Sequence, residues 1–266
     1  LCIDHCKEGR MEQEMGNGAY TYLEAGDLKI DRRIHHKGHI EFPTQHFHGV
    51  TIAFDMKEAT KNLPLEMRDF PVDLYALQKK YCDSKHPFVI PGEPAIEHIF
   101  SELYSIPLNI KKYYLKVKIF ELLLYLDALE LAGTKEERPY FYKTQVEKIK
   151  AIRSLMTENL TEHYTLDDLA KRFDIPHTTM KSCFKSIYGN SIFAYMREYR
   201  MNYAANLLRE QNDLSIAQIA GMVGYDSPGK FSSAFKAVMG STPLSYRKFP
   251  VHAVNLWPGG EDETSK

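Results

Sequence analysis

The chain has 266 residues, of which 44% are hydrophobic and 26% charged, and its formal net charge is -1. This length suggests two domains, and no apolar run approaches the roughly 20 residues that a membrane-spanning helix needs. No signal peptide is evident, and four scattered cysteines are too few for a disulfide framework, so we expect reduced thiols and a cytoplasmic protein with no membrane partner.

The N-terminal region predicts strands. Segments 19–23, 28–34 and 50–54 have strand character and are separated by glycine and proline, as in a small β-barrel or sandwich. Histidines crowd the same region, and two of them, His46 and His48, would share one face of a strand. Neutral imidazoles bind metals but also serve as ordinary polar groups, so we assign no metal site. The other histidines of the cluster are His35, His36 and His39.

Three helices are expected next, at 71–82, 94–105 and 109–132. The last carries two apolar stripes: Leu115, Ile119, Leu122, Leu126 and Leu129, and Tyr113, Val117, Phe120 and Leu124. One stripe can pack on the sheet while the other pairs with a second copy of the chain, or both can be buried within one chain. The charged segment that follows predicts an interdomain linker at 133–143, and the polar end of the chain predicts a disordered tail at 250–266.

The charge is unevenly divided between the two halves. Residues 144–249 hold 14 Lys and Arg against 10 Asp and Glu, a net of +4, whereas the remainder holds 20 against 25, a net of -5. A basic module beside an acidic one is typical of a nucleic-acid-binding domain joined to a domain of another kind.

The basic half contains one pattern twice, about fifty residues apart, which indicates a repeated structural unit. Thr165 and Ser215 each begin a helix with the spacing of a capping box. A short apolar stripe follows, then a break at 174–176 and at 224–226, and then a second helix. Ser227 and Pro228 suit the start of that helix in the later copy, with a capping hydroxyl before a proline. The pattern predicts two helix-turn-helix units.

The second helix of each unit has a polar outer face without carboxylates, as a helix in a DNA groove requires. We expect DNA contacts from both of these reading helices. In the first unit the residues are Thr178, Thr179, Lys181, Ser182 and Lys185. In the second unit they are Lys230, Ser232, Ser233 and Lys236.

Between the two units, residues 191–210 predict one uninterrupted helix, with Tyr199 and Tyr203 among the residues available for packing. Twenty residues make a rod roughly 30 Å long. Neighbouring major-groove faces of B-DNA lie about 34 Å apart, so such a rod can place the two units in adjacent major grooves of double-stranded DNA.

The segments AYMREYRM (194–201) and IAQIAGMVGY (216–225), with the later Phe235-Lys236 and Thr242-Pro243, resemble the AraC/XylS family of bacterial transcription regulators. The resemblance covers about 146–248. It departs at Pro176-His177, where many relatives have a capping serine, and at Pro228-Gly229, which offers little side chain to the bases. The part of the chain before the linker resembles the family more loosely, and there the resemblance implies a cupin-like effector domain.

The resemblance implies an α+β chain: a small cupin-like β-barrel with helices, followed by an all-α domain of two helix-turn-helix units joined by a long helix. We expect an effector-binding and dimerisation domain at 1–132 and a DNA-binding domain at 144–249. The protein would be a regulator, more often an activator, controlled by a small-molecule effector. It would form a homodimer through the 109–132 helix, engage RNA polymerase if it activates, and need no cofactor.

Three alternatives concern the N-terminal half. It could sense a metal or a ferric siderophore through the histidine cluster, with His46 and His48 as candidate ligands, although Ile52 stands where a metal-binding cupin has a carboxylate. It could be an enzymatic cupin-like domain, although no nucleophile, phosphate-loop or zinc-protease motif is present. It could also be only a dimerisation or docking platform. The effector-binding residues are not assigned, and His46 and His48 are the candidates.

Overall fold

A computed structural model describes residues 1–15, 18–32, 39–61, 70–84, 86–131 and 139–248. The chain divides into two compact units, one ending at Phe141 and the other beginning at Tyr142. Within the described ranges, no helix has the length and apolar character needed to cross a bilayer. The histidines His35 and His36, positions 133–138 of the predicted linker and the predicted tail at 250–266 lie outside these ranges.

The first unit is organised around β1, a strand of 13 residues. Its first half pairs antiparallel with β3 on one side and β5 on the other, so that Ile3 lies opposite both Ile30 and Ile52. Its second half pairs with β2 and β4. The strands are β1 (Cys2–Glu14), β2 (Ala19–Glu24), β3 (Leu28–Asp31), β4 (Ile40–Glu41), β5 (Phe47–Ala53), β6 (Phe88–Ile90) and β7 (Phe141–Tyr142).

The strand order β6-β3-β1-β2-β7, with β4 and β5 also on β1, forms an open path through the described residues. The predicted barrel is therefore found as a curled sheet, or half-barrel. Of the predicted strands, 19–23 and 50–54 correspond to β2 and β5, whereas 28–34 is shorter and ends as a described strand at Asp31.

The prediction missed β1 because this strand buries polar side chains among its apolar ones. Asp4, His5, Glu12 and Gln13 are each at most 4% exposed, which hides the alternation that marks a half-buried strand. Asp4 and Gln13 share a partner on the neighbouring strand β3: the Lys29 ammonium lies 2.9 Å from an Asp4 carboxylate oxygen and donates to the Gln13 amide oxygen at 2.7 Å.

Four α-helices belong to the described part of the first unit. They are α1 (Met56–Lys61), α2 (Leu74–Tyr81), α3 (Pro94–Ser101) and α4 (Lys111–Ala128). The helix predicted over 94–105 ends at Ser101 and continues as a 3₁₀ turn, Glu102–Tyr104. A single apolar core joins β1 and β3 to α2, α3 and α4, with Ile3, Phe100 and Leu123 fully buried in it. The segment 109–132 is helical over the shorter range of α4.

The two apolar stripes of α4 have different surroundings. Leu122 and Leu126 of the first stripe are 1% exposed in the core, and Ile119 and Leu129 pack against it. In the second stripe, Tyr113, Val117 and Leu124 are 69%, 61% and 44% exposed. The reading in which both stripes are buried in one chain is therefore wrong for this structure. Phe120 is half-buried, with its ring 5.1 Å from Phe70.

The second unit is built from helices. They are α5 (Lys143–Glu158), α6 (Leu166–Phe173), α7 (His177–Tyr188), α8 (Ile192–Glu210), α9 (Ile216–Met222), α10 (Pro228–Met239) and α11 (Pro243–Lys248). The uninterrupted helix predicted for 191–210 is confirmed as α8, which begins after its N-cap Ser191. Because α8 packs against α5 and α7 at one end and against α9, α10 and α11 at the other, it holds the two halves of this unit together.

Candidate nucleic-acid interface

The first helix-turn-helix consists of α6 and α7. The predicted capping box at Thr165 is confirmed: its hydroxyl accepts from the Asp168 amide at 3.1 Å, while an Asp168 carboxylate oxygen accepts from the Thr165 amide at 2.9 Å. The Thr165 hydroxyl also donates to this carboxylate at 2.7 Å, and this bond, followed by that from the Thr165 amide, lowers the pKa of the Asp168 carboxyl. Helix α6 ends at Asp174, which adopts a left-handed conformation with φ 45°. The reversal of the chain there allows Ile175 to be buried before α7 begins.

Helix α7 is anchored by its apolar face. Met180, Cys183, Phe184 and Ile187 are each 0% exposed, as the three-and-four spacing predicted. Since these side chains face inward, the residues between them must face solvent. Thr178, Lys181, Ser182 and Lys185 are exposed, and Thr179 is half-buried. The structure thus places the five predicted residues of the first helix-turn-helix along one helix.

The start of α7 lacks a side-chain cap. Its N-cap is Pro176, which makes no capping hydrogen bond. The imidazole of His177, the first residue of the helix, instead contacts Asp167 on α6, with 3.0 Å between Nε2 and a carboxylate oxygen. On the other side, the Lys148 ammonium lies 3.7 Å from an Asp174 carboxylate oxygen. These contacts tie both ends of the turn to neighbouring helices.

The helix α8 sets the distance between the two helix-turn-helix motifs. Its 19 residues give a length of roughly 28 Å. Met196, Met201 and Leu208 are buried along it. Near its start, the Arg153 guanidinium of α5 donates to the Tyr195 hydroxyl at 2.7 Å. The expectation that Tyr203 packs is wrong, because this side chain is 41% exposed.

The second helix-turn-helix consists of α9 and α10. The capping box predicted at Ser215 is confirmed, with Gln218 as its partner. The turn contains Gly224 at φ +80°, and a Cβ there would lie 2.4 Å from the Leu160 carbonyl oxygen, so only glycine fits. Pro228 begins α10 as predicted, but the Ser227 hydroxyl makes no capping bond, which corrects that part of the prediction.

The outer face of α10 is poorer in free polar groups than that of α7. Phe231 and Phe235 are fully buried and orient the helix. Lys230, Ser233 and Lys236 are then exposed and Ser232 is half-buried. The Ser233 hydroxyl donates to the carbonyl oxygen of Gly229 at 3.1 Å, within the same helix. The two lysines are therefore the main groups that α10 presents to a partner.

The two reading helices form a basic surface. Together α7 and α10 carry four lysines and no Asp or Glu in 24 residues. Among the described residues, no carboxylate oxygen lies within 4.0 Å of the Lys181, Lys185, Lys230 or Lys236 ammonium. Four cations without internal partners on two exposed helices are suited to neutralising phosphates.

The N-terminal histidine candidates His46 and His48 make different contacts in the structure. His46 precedes β5 and its Nε2 lies 3.3 Å from a Glu8 carboxylate oxygen, whereas the His48 ring on β5 contacts Tyr104 edge-on at 5.0 Å. His39 lies elsewhere, just before β4. Across the ranges that the structure describes, no group of three or more His, Cys, Asp and Glu side chains is arranged to hold a metal ion.

Comparisons with known proteins identify a family for part of the second unit. Residues 169–248 match the family described as a helix-turn-helix domain. The HTH-type transcriptional activator RhaR of Mannheimia succiniciproducens is 26% identical over 146 residues, which are 55% of this chain and 51% of that protein. The HTH-type transcriptional regulator ExsA of Pseudomonas aeruginosa is 31% identical over 100 residues, 38% of this chain and 36% of that protein.

Among solved structures, the DNA-binding domain of AdpA in complex with a target DNA is 27% identical, with a TM-score of 0.36. The match covers 38% of this chain and 90% of that one. The chain thus spans about half, or less, of the length of the two curated relatives.

Proposed function

The C-terminal half of this chain belongs to the AraC-type family of DNA-binding transcription regulators, and from that premise we propose that the whole protein is a sequence-specific regulator. The observation that carries the proposal is the pair of reading helices, α7 and α10, whose four lysines are exposed and form no ion pair with another described residue. The helix α8, which is roughly 28 Å long, connects these two helices, and this length allows them to enter adjacent major grooves of one duplex.

The two helix-turn-helix motifs are proposed to contribute differently to DNA binding. Helix α7 offers Thr178 and Ser182 as hydrogen-bonding groups beside its lysines, so it would read base edges. Helix α10 begins with Pro228 and Gly229, and its Ser233 hydroxyl is already bonded within the helix. It would mainly hold phosphates through its lysines. A binding site with one well-defined half and one degenerate half is expected.

Selection of bound sequences from a random duplex pool by the full chain tests this function. An enriched site, with its informative positions grouped at one end, supports both the function and the division of roles. Absence of any enriched sequence would refute sequence-specific binding by the free protein. Ser182→Ala should then change the preferred base at one or two positions of the informative half, whereas Ser233→Ala should leave the preferred sequence unchanged.

The lysines can be tested separately by the salt dependence of affinity. Each phosphate contact contributes about 0.9 to the slope of log affinity against log salt concentration. Lys185→Ala and Lys236→Ala should each lower that slope by about one and weaken binding on every sequence. The exposed Lys112 on α4 provides the matched control, since Lys112→Ala should change neither slope nor affinity. Equal slopes for all four proteins would remove these lysines from the interface.

The N-terminal unit is proposed to sense a small molecule and to pair two copies of the chain. The support for pairing is the exposed apolar stripe of α4, in which Tyr113, Val117 and Leu124 face solvent while Leu122 is in the core. An effector that binds one arrangement of the protein more tightly shifts the population toward it. We propose activation of transcription as the outcome, with RNA polymerase as the further partner, because the relative RhaR is described as an activator.

A further inference from the structure

The first unit contains a cleft that the sequence did not reveal. It has a volume of about 460 Å³, within the range of small-molecule sites. One wall is a single face of α3 and the 3₁₀ turn after it, formed by Glu93, Glu97, Ser101 and Tyr104. Their spacing of four, four and three residues places them in line on the helix. The opposite wall is the middle of β1, residues 5–7.

One end of the cleft is closed by a close approach of two backbone segments. A Cβ on Gly92 would lie 3.0 Å from the Cα of Gly26, so these glycines let the β2–β3 turn meet the segment before α3. The Gly92 amide also donates to an Asp27 carboxylate oxygen at 3.0 Å. The cleft is therefore shaped by ordered backbone contacts.

His5 is one of the residues that line this cleft, and one of its ring nitrogens makes no hydrogen bond to a described residue. The residue is 4% exposed, its ring stacks on Phe100 at 4.0 Å, and its Nδ1 shares a hydrogen bond of 2.8 Å with the Tyr104 hydroxyl. The other ring nitrogen, Nε2, is buried and has no hydrogen-bond partner among the residues that the structure describes. A buried polar atom left unpaired costs free energy that a ligand can recover.

Burial also keeps this imidazole uncharged. Desolvation lowers the pKa of His5 from 6.5 to about 4, so the ring is neutral at physiological pH. A neutral imidazole has one N–H and one acceptor nitrogen. If Nδ1 donates to the Tyr104 oxygen, Nε2 is left as an acceptor.

The charges around the cleft favour a cation. Glu93 and Glu97 bring two exposed carboxylates to the helix wall, and the Tyr125 hydroxyl donates to Glu93. Lys7 is the basic residue on the opposite wall, but its ammonium lies 3.3 Å from a Glu8 carboxylate oxygen and 5.0 Å from the centre of the Tyr104 ring. Two carboxylates thus face one cation that already has a carboxylate partner.

We propose that this cleft binds a small organic amine, with its ammonium group between Glu97 and the Nε2 atom of His5 and its carbon body along the Tyr104 ring. The carboxylate and the imidazole nitrogen accept from the ammonium, and the ring contacts the apolar part. This inference deepens the proposed function, since it names the chemical class of the effector. It also moves the effector site from His46 and His48 to residues on β1 and α3.

Binding of three primary amines to the full chain tests the proposal. The probes are ethanolamine, putrescine and 2-phenylethylamine, with 2-phenylethanol and 3-phenylpropanoate as the neutral and anionic counterparts of the third. Ligand-observed NMR measures affinity without DNA. At least one amine should bind saturably in the millimolar range or below, while the alcohol and the carboxylate do not. If no amine binds, or if the alcohol or the carboxylate binds as well as the amine, the proposal is wrong.

Variants locate the site. Glu97→Gln should weaken amine binding by about tenfold, as loss of one charged hydrogen bond implies. His5→Phe keeps a ring on Phe100 but removes the acceptor, and it should weaken binding by a similar factor. Glu130→Gln changes an exposed carboxylate outside the cleft and should leave affinity unaltered. Equal amine affinities in all three variants would place the amine elsewhere and overturn the proposal.

Operator affinity measured on the same preparations separates this inference from the proposed function. Selective DNA binding without amine binding refutes only the ligand class. Amine binding without selective DNA binding supports the site and refutes the regulatory function of the free protein. Circular dichroism of each variant establishes that the fold is intact, so that a loss of binding is attributed to the substituted side chain.

Discussion

The stability of the first unit should fall in mild acid because of His5. The pKa of this imidazole is about 4 in the folded protein, against an ordinary value of 6.5. The unfolded chain therefore binds the proton more tightly, and the stability that His5 contributes is complete above pH 6.5 and is lost as the pH falls toward 4. Between pH 8 and pH 5 the loss is about 2 kcal/mol, since each pKa unit corresponds to 1.36 kcal/mol.

Urea unfolding with thiol labelling can measure this loss. Cys2, Cys6 and Cys82 are buried in the first unit and become reactive only when it unfolds, whereas Cys183 reports on the second. Dipyridyl disulfide reacts at acid pH, and mass spectrometry separates the labelled peptides. Wild type should lose about 2 kcal/mol more than His5→Phe between pH 8 and pH 5.

The matched control is His98, whose side chain is 72% exposed. His98→Phe should retain the pH response of the wild type. If His5→Phe and the wild type lose the same stability on acidification, the buried neutral state assigned to His5 is wrong. Other titrating groups affect all three proteins alike, so the comparison isolates one imidazole.

Two pairs of substitutions test the packing of the two units. Gly224→Ala should destabilise the second unit by about 2 kcal/mol or more, because φ is +80° and the new Cβ would lie 2.4 Å from the Leu160 carbonyl oxygen. The new Cβ of Gly221→Ala meets no neighbouring atom, so this substitution should stabilise α9 by about 0.5–1 kcal/mol. Thermal melts in which Gly224→Ala is more stable than Gly221→Ala would contradict the turn geometry. Val117→Asp should give a folded monomer in sedimentation, whereas Leu122→Asp should unfold the first unit. A folded dimer of Val117→Asp would exclude the exposed stripe as the interface.

The second unit could be predicted from sequence because its determinants are local. The capping boxes at Thr165 and Ser215 and the buried positions of α7 each depend on residues three or four apart. The missing cap at Ser227 depends on side-chain geometry, which spacing does not determine. The predicted DNA contacts lie on the outer faces as expected, and their roles stay predictions.

The first unit was less predictable because its determinants are distant along the chain. The strand β1 is defined by pairing with β3 and β5, from which it is separated by about 25 to 50 residues. The buried carboxylate of Asp4 has partners on both of those strands, Lys29 on β3 and Thr51 on β5. The cleft combines His5 with Gly26, Gly92 and Glu97, and no local pattern brings these residues together. The sequence pattern therefore favoured the clustered histidines His46 and His48 as candidates instead.

The unbroken helix α8 has a consequence for how this gene can change over time. A residue inserted within a helix advances everything beyond it by about 1.5 Å and turns it by about 100°. Because α8 connects the α6–α7 pair to the α9–α10 pair along the chain, one inserted or deleted codon would rotate one reading helix away from the other. Point substitutions on its exposed side leave that phase intact. Lineages of this protein should therefore accumulate replacements on the exposed side of α8 while conserving its length to the residue.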